Sequence, residues 1–167
     1  LLVLRDSEGH VFGAYSPVPL ECSPRFTGNS EAFLFRLQPE LHVYPDAGVN
    51  SNYVYFNYGT STLPNGIGFG GQMNYFGLWI DSSFTFGSCA ASPRSTTFNS
   101  PRLNSPVSSL PSPKFEIDAM HVYLVHPKEV DDRLVPERVK RGGRGSILNS
   151  HPIESALLEM AGKERYA

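Results

Sequence analysis

Charge and sulfur are both scarce in this chain. Its 167 residues include 14 Lys and Arg against 16 Asp and Glu, a net charge of −2, and charged residues are 18% of the total. Ordinary domains carry ~25%. No strong field of either sign results, so nothing in the balance draws the chain to nucleic acid or an anionic membrane surface. Cys22 and Cys89 are the two cysteines. Without a C-x-x-C pair or a Cys/His cluster there is no expected structural zinc site, and no other metal or cofactor is implied. They read as two unlinked thiols of a cytosolic protein; a disulfide between them is open but unsupported. There is no signal peptide and no apolar run of about 18 residues. The chain begins without Met inside the apolar run Leu1–Leu4, which we read as a domain taken from a longer protein, so missing targeting signals decide little.

What the chain has is glycine, proline and aromatic residues. The segment Pro64–Asp81 holds Gly66, Gly68, Gly70, Gly71 and Gly77 together with Phe69, Tyr75, Phe76 and the single tryptophan, Trp79. Glycine costs conformational entropy inside a strand and packs nothing. Its alternation with Ile67 and Phe69, ahead of the apolar run Phe76–Ile80, therefore predicts neighbouring strands with bulky groups on one lying over bare backbone of the other. A phosphate loop is excluded: no Lys-Ser/Thr follows, and the segment leads into a strand where a phosphate loop needs a helix N-terminus. No G-x-S-x-G nucleophile motif occurs.

Along the chain, Leu1–Leu4 and Val11–Tyr15 read as a hairpin around Arg5–His10. Ala32–Leu37, Leu41–Tyr44, Asn52–Tyr58 and Phe115–Val125 follow as strands, the last alternating Phe115, Ile117 and Ala119 with Glu116, Asp118 and Met120. Ser16–Pro24 and residues 87–113, rich in Ser, Pro, Thr and Asn, read as surface loops. The expected fold is mainly β (α+β): two antiparallel sheets packed as a β-sandwich with a few flanking helices. Composition divides the chain into a domain over 1–126, a charged Gly-rich linker over 127–146, and a helical extension over 147–167. In that extension Ser150 can cap, and Ile153, Leu157, Met160 and Ala161 recur at helical spacing. So short a helix needs a surface to dock on, either its own domain or a partner.

Three side chains invite a chemical reading. Glu31, just ahead of a strand, suits a general base or a residue pinning a loop. Asp81 ends the Trp79 strand beside Ser82 and Ser83, where Asp commonly bonds local backbone. His121 lies on a strand and reads as half-buried surface. A stress-protective enzyme would need Glu31, Asp81 and His121 to converge on one pocket. A lectin-like or peptide-binding sandwich would instead need Tyr53 and Tyr55 exposed on one face. Cys89 lacks sequence neighbours that would lower its pKa.

The segments resemble the TLDc domain of eukaryotic oxidation-resistance proteins. The matching residues are Leu2-Val3-Leu4-Arg5-Asp6 with Gly9-His10-Val11-Phe12-Gly13; Phe26-Thr27-Gly28 before Glu31-Ala32-Phe33-Leu34-Phe35; Gly68-Phe69-Gly70-Gly71 with Phe76-Gly77-Leu78-Trp79-Ile80-Asp81; Thr97-Phe98-Asn99-Ser100-Pro101; and Phe115-Glu116-Ile117. Tyr53–Asn57, Pro64–Gly68 and the tail Gly145–Leu148 with Ala156–Glu159 are similar to the lysosome-associated, mTOR-signalling branch. Two departures stand out: Ser95 where the family often has Cys, and His121-Val122-Tyr123 where it has Glu-x-Trp. The second speaks against a shared carboxylate mechanism.

The resemblance implies a β-sandwich and a non-catalytic regulatory module that binds the V1 sector of the V-ATPase, linked to oxidative-stress resistance. The branch adds mTOR-pathway partners and the cytosolic face of the lysosome or another acidic organelle, with any peripheral membrane association made through regions outside this chain. The contact surface it implies comprises Glu31, Phe98 and Asn99 with Ile153, Leu157 and Met160 of the tail. Gly28, Gly68, Gly70, Gly71, Gly77, Trp79 and Asp81 are the expected architectural residues.

Overall fold

Period-two burial marks the first strand. In β1 (Leu2–Asp6), Leu2, Leu4 and Asp6 are buried while Arg5 is exposed. Strand β2 (Val11–Tyr15) pairs with it antiparallel, from Leu2 opposite Ala14 to Arg5 opposite Val11. Asp6 closes the turn between them. Its Oδ1 accepts the backbone N–H groups of Glu8 at 3.0 Å and His10 at 2.8 Å, and its Oδ2 lies 2.9 Å from His10 Nδ1. A carboxylate this deeply buried needs such partners for both oxygens.

The computed structural model describes residues 1–105 and 114–125. Leu1–Val122 form one unit and Tyr123–Ala167 a second, with residues 123–125 the described part of the latter. The remaining strands of the first unit are β3 (Ser23–Thr27), β4 (Phe33–Gln38), β5 (His42–Tyr44), β6 (Val54–Asn57), β7 (Gly66–Phe69), β8 (Leu78–Asp81), β9 (Phe86–Ser88) and β10 (Lys114–Val122). All pair antiparallel in one ten-stranded sheet of order β3-β6-β7-β8-β9-β10-β1-β2-β4-β5.

This corrects the expectation of two sheets with flanking helices. The nine-residue β10 joins the halves: Lys114–Glu116 pair with β9, and Ile117–Val122 pair with β1. No helix occurs among the described residues. The helix expected over 147–167 lies outside them, as does the linker over 127–146.

The sheet encloses an apolar core. Phe12, Leu34, Tyr55, Phe69, Leu78 and Ile80 are each at most 1% exposed, and burial of such side chains is the main force favouring the fold. β4 and the approach to β8 meet across this core, since a Cβ on Gly77 would stand 2.8 Å from Leu34 Cδ1. The glycine segment works as its pattern predicts. A Cβ on Gly66 would stand 2.8 Å from the Trp79 ring, and one on Gly68 would run into the Phe76 ring. Phe76 and Trp79 stack on each other at 4.7 Å. Bare backbone in β7 therefore makes room for two stacked rings.

Residues 87–105 are more than a surface loop. Cys89, Ser95, Thr97, Phe98, Ser100 and Leu103 in that stretch are buried. Thr97 Oγ1 accepts the Gly71 N–H at 2.8 Å and donates to Asn50 Oδ1 at 2.7 Å, while the Ser95 and Ser100 hydroxyls meet at 2.8 Å. The Thr97 hydroxyl satisfies the backbone it covers and the two serine hydroxyls satisfy each other, which is why a polar stretch could be interior.

Candidate functional site

The three side chains an enzyme would need do not converge. Asp81 sits at the end of β8 and accepts the Ser83 hydroxyl at 2.8 Å and the Phe86 N–H at 3.4 Å, so it shapes the β8–β9 turn as its neighbours predicted. Ile80 pairs with Gly87 and Gly87 with Phe115, which puts Asp81 level with the start of β10. His121 pairs with Val3 near the far end of that strand, about 17 Å along it from Glu116, the residue level with Asp81. Glu31 lies in the turn before β4, and β1 and β2 stand between β4 and β10, a separation of about 14 Å. The Glu31 side chain is exposed. It is the Asn29 side chain that pins this turn, accepting the Glu31 N–H at 2.9 Å.

The aromatic face required for a lectin-like site is also missing. Tyr55 is fully buried with its hydroxyl donating to the Pro64 carbonyl at 2.9 Å, and Tyr53 is half-buried with its hydroxyl 3.1 Å from Asp46 Oδ2. Asp6, Glu8 and His10 bring three ligand-type atoms within 4.8 Å of one another. Both Asp6 oxygens are already acceptors within the hairpin turn, so the cluster is accounted for by the turn.

Of the expected contact residues, Phe98 is 3% exposed and lies over Gly70, whose added Cβ would stand 2.5 Å from the ring. It holds the loop to the glycine segment and is not presented to a partner. Asn99 is exposed at φ 46° and accepts the Ser92 hydroxyl at 2.6 Å. Gly28, at φ 91°, packs against Tyr53 and Val54. Ile153, Leu157 and Met160 lie outside the described residues.

Two concavities stand out among the described residues. One, about 240 Å³, is wholly apolar and lies on the β1–β4–β5 side between Val3, Phe33, Phe35, Leu37, Leu41 and Val43. The other, about 310 Å³, opens between the Asn74–Phe76 turn and the 88–102 loop, with Arg94 and Arg102 in its wall. Arg94 stands 4.8 Å over the exposed Tyr75 ring, a cation–π contact. Cys89 forms part of the floor and is fully buried. Burial pushes its thiol up to about 12, against hydrogen bonds from the Leu103 and Asn104 backbone, so it is a neutral, unreactive thiol at neutral pH. Cys22 is exposed, and both thiols are free. Sequence reasoning passed over Tyr75, Arg94 and Arg102. The signal available was two arginines in a loop with no other charged residue.

A single antiparallel sheet with a glycine–aromatic centre and a packed Ser/Thr loop is thus the module to be placed. The TLDc domain model matches residues 1–126, and the chain belongs to the TLDc domain family. It is 40% identical over 167 residues to MTOR-associated protein MEAK7 of Gallus gallus, covering 100% of this chain and 33% of that protein. The Homo sapiens protein of that name is 40% identical over 166 residues, 99% of this chain and 33% of its own length. Oxidation resistance protein 1 of Eremothecium gossypii is 35% identical over 131 residues, 75% of this chain and 49% of that protein. The chain therefore spans about a third of the MEAK7 proteins it matches.

Proposed function

We propose that this chain is a non-catalytic regulatory domain that acts by binding other proteins, its partner being the V1 sector of the V-ATPase on the cytosolic face of the lysosome or another acidic organelle. Its physiological setting is mTOR signalling and resistance to oxidation. The observation that supports this reading most is similarity along the whole chain, tail included, to proteins described as mTOR-associated. Similarity to an oxidation resistance protein supports the second half. The separation of Glu31, Asp81 and His121 fits a binding role better than a hydrolytic or redox one.

The residues we assign to V1 contact are Glu31 and Asn99, both exposed on the first unit, and, as a separate element, Ile153, Leu157 and Met160 of the tail. Pull-down of purified V1 by the 167-residue chain, with and without residues 145–167, tests it. Retention of V1 by the whole chain and its loss on truncation are expected. No retention by the whole chain rejects V1 as partner; equal retention by both forms rejects the tail's share.

A further inference from the structure

The cleft between Tyr75 and the 88–102 loop has the chemistry of an anion receptor. Its described walls contain two guanidinium groups, Arg94 at the surface and Arg102 half-buried and already engaged, and no carboxylate, in a chain whose acidic residues outnumber its basic ones. Arg94 is exposed, and its guanidinium makes no hydrogen bond to any described residue; its side-chain contact is the Tyr75 ring face. A cation over a ring keeps its plane oriented while its N–H edge stays available for a bidentate acceptor. The loop that carries it is ordered by its own backbone. Ala90 N–H donates to the Phe76 carbonyl at 2.9 Å, Ser92 N–H to the Ser100 carbonyl at 2.9 Å, and Arg94 N–H to the Ala91 carbonyl at 2.9 Å. A rigid loop loses little entropy when its side chains bind.

We propose that this cleft is a docking site for an acidic peptide segment of a protein partner, with Arg94 receiving its carboxylates, the half-buried Arg102 adding positive charge to the wall, and Tyr75 taking its apolar stems. A peptide fits better than a small free anion for two reasons. At about 310 Å³ the space exceeds a single oxyanion, and Ala90, Ala91 and Pro93 give it an apolar side that a free phosphate would not use. Cation–π contact with an exposed tyrosine also leaves an aromatic surface that methylene groups of glutamate can cover. The site stands whether or not V1 is the partner.

The test uses the 167-residue chain and a fluorescein-labelled hexaglutamate peptide, read by fluorescence anisotropy at low salt. The expected result is saturable binding that weakens as salt rises, fails with a hexaglutamine peptide, and falls about tenfold or more in the Arg94→Gln, Arg102→Gln double variant. Arg25→Gln, at an exposed arginine on β3 outside the cleft, is expected to bind as the parent does. The single Arg94→Gln variant, whose side chain is at the surface, is expected to keep the parent melting temperature and to bind more weakly. Absence of binding by the parent overturns the proposal, as does equal binding by parent and double variant. Competition by inorganic phosphate as effective as by unlabelled hexaglutamate overturns the peptide as occupant.

Discussion

Replacing Thr97 by Val removes one oxygen and keeps nearly all of the side chain's volume, so it isolates the hydroxyl that ties the 87–105 stretch to the glycine segment. Thr97 is 0% exposed, and its Oγ1 accepts the Gly71 N–H at 2.8 Å while donating to Asn50 Oδ1 at 2.7 Å. Gly71 is buried, so its N–H finds no water when the oxygen goes; Asn50 is half-buried and can be rehydrated. An orphaned buried donor costs about 1–3 kcal/mol. Thr97→Ser keeps the oxygen and loses one methyl, at about 1 kcal/mol. Urea unfolding of the whole chain is expected to rank the parent above Thr97→Ser and Thr97→Ser above Thr97→Val, with unchanged m-values. A Thr97→Val variant as stable as Thr97→Ser would refute the claim that this hydroxyl, more than the methyl, holds the loop.

Three further outcomes are expected. Gly68→Ala forces a Cβ into the Phe76 ring and should destabilise by about 1–3 kcal/mol, read as a lower melting temperature; an unchanged melt would mean the rings are not confined there. Tyr55→Phe removes the hydroxyl bonded to the Pro64 carbonyl at 2.9 Å, but Asn57 Nδ2 still donates to that carbonyl at 3.2 Å, so a loss of about 1 kcal/mol is expected by denaturant titration. Cys89, its thiol raised by burial from 9.0 to about 12, should resist Ellman's reagent in the native chain while exposed Cys22 reacts. A folded-state pKa above the unfolded one gives stability that is fully present below pH 9 and lost as pH climbs towards 12. Stability should therefore fall less steeply over that range in Cys89→Ala than in the parent.

Much of the strand content was legible because alternation and aromatic spacing are local properties. The pairs Leu2–Leu4 and Phe115–Ile117 declare their faces by sequence alone, and Gly66 and Gly68 announce a close approach. Pairing partners are not local. The long β10 shows period two from Lys114 to Ala119, yet nothing in that period says that Lys114–Glu116 join β9 and the rest joins β1, which is why two sheets were expected where one exists. Strand β3 was hidden by Pro24, tolerated because β3 is an edge strand meeting β6 at Ser23–Phe56 and Thr27–Val54. Three-residue β9, centred on Gly87, has too little pattern to be seen.

The site was less legible for a related reason. Phe98 looks like a contact residue in an isolated loop, and only the fold shows its ring over Gly70. Arg94 and Tyr75 are far apart in sequence, and their stacking comes from two loops meeting.

Under the proposed function, this domain works by binding V1 and not by catalysis. Interferometry of purified V1 over the immobilised 167-residue chain measures that directly. Saturable, reversible binding is the predicted result. No response from a chain whose near-ultraviolet circular dichroism shows a packed aromatic core would contradict it.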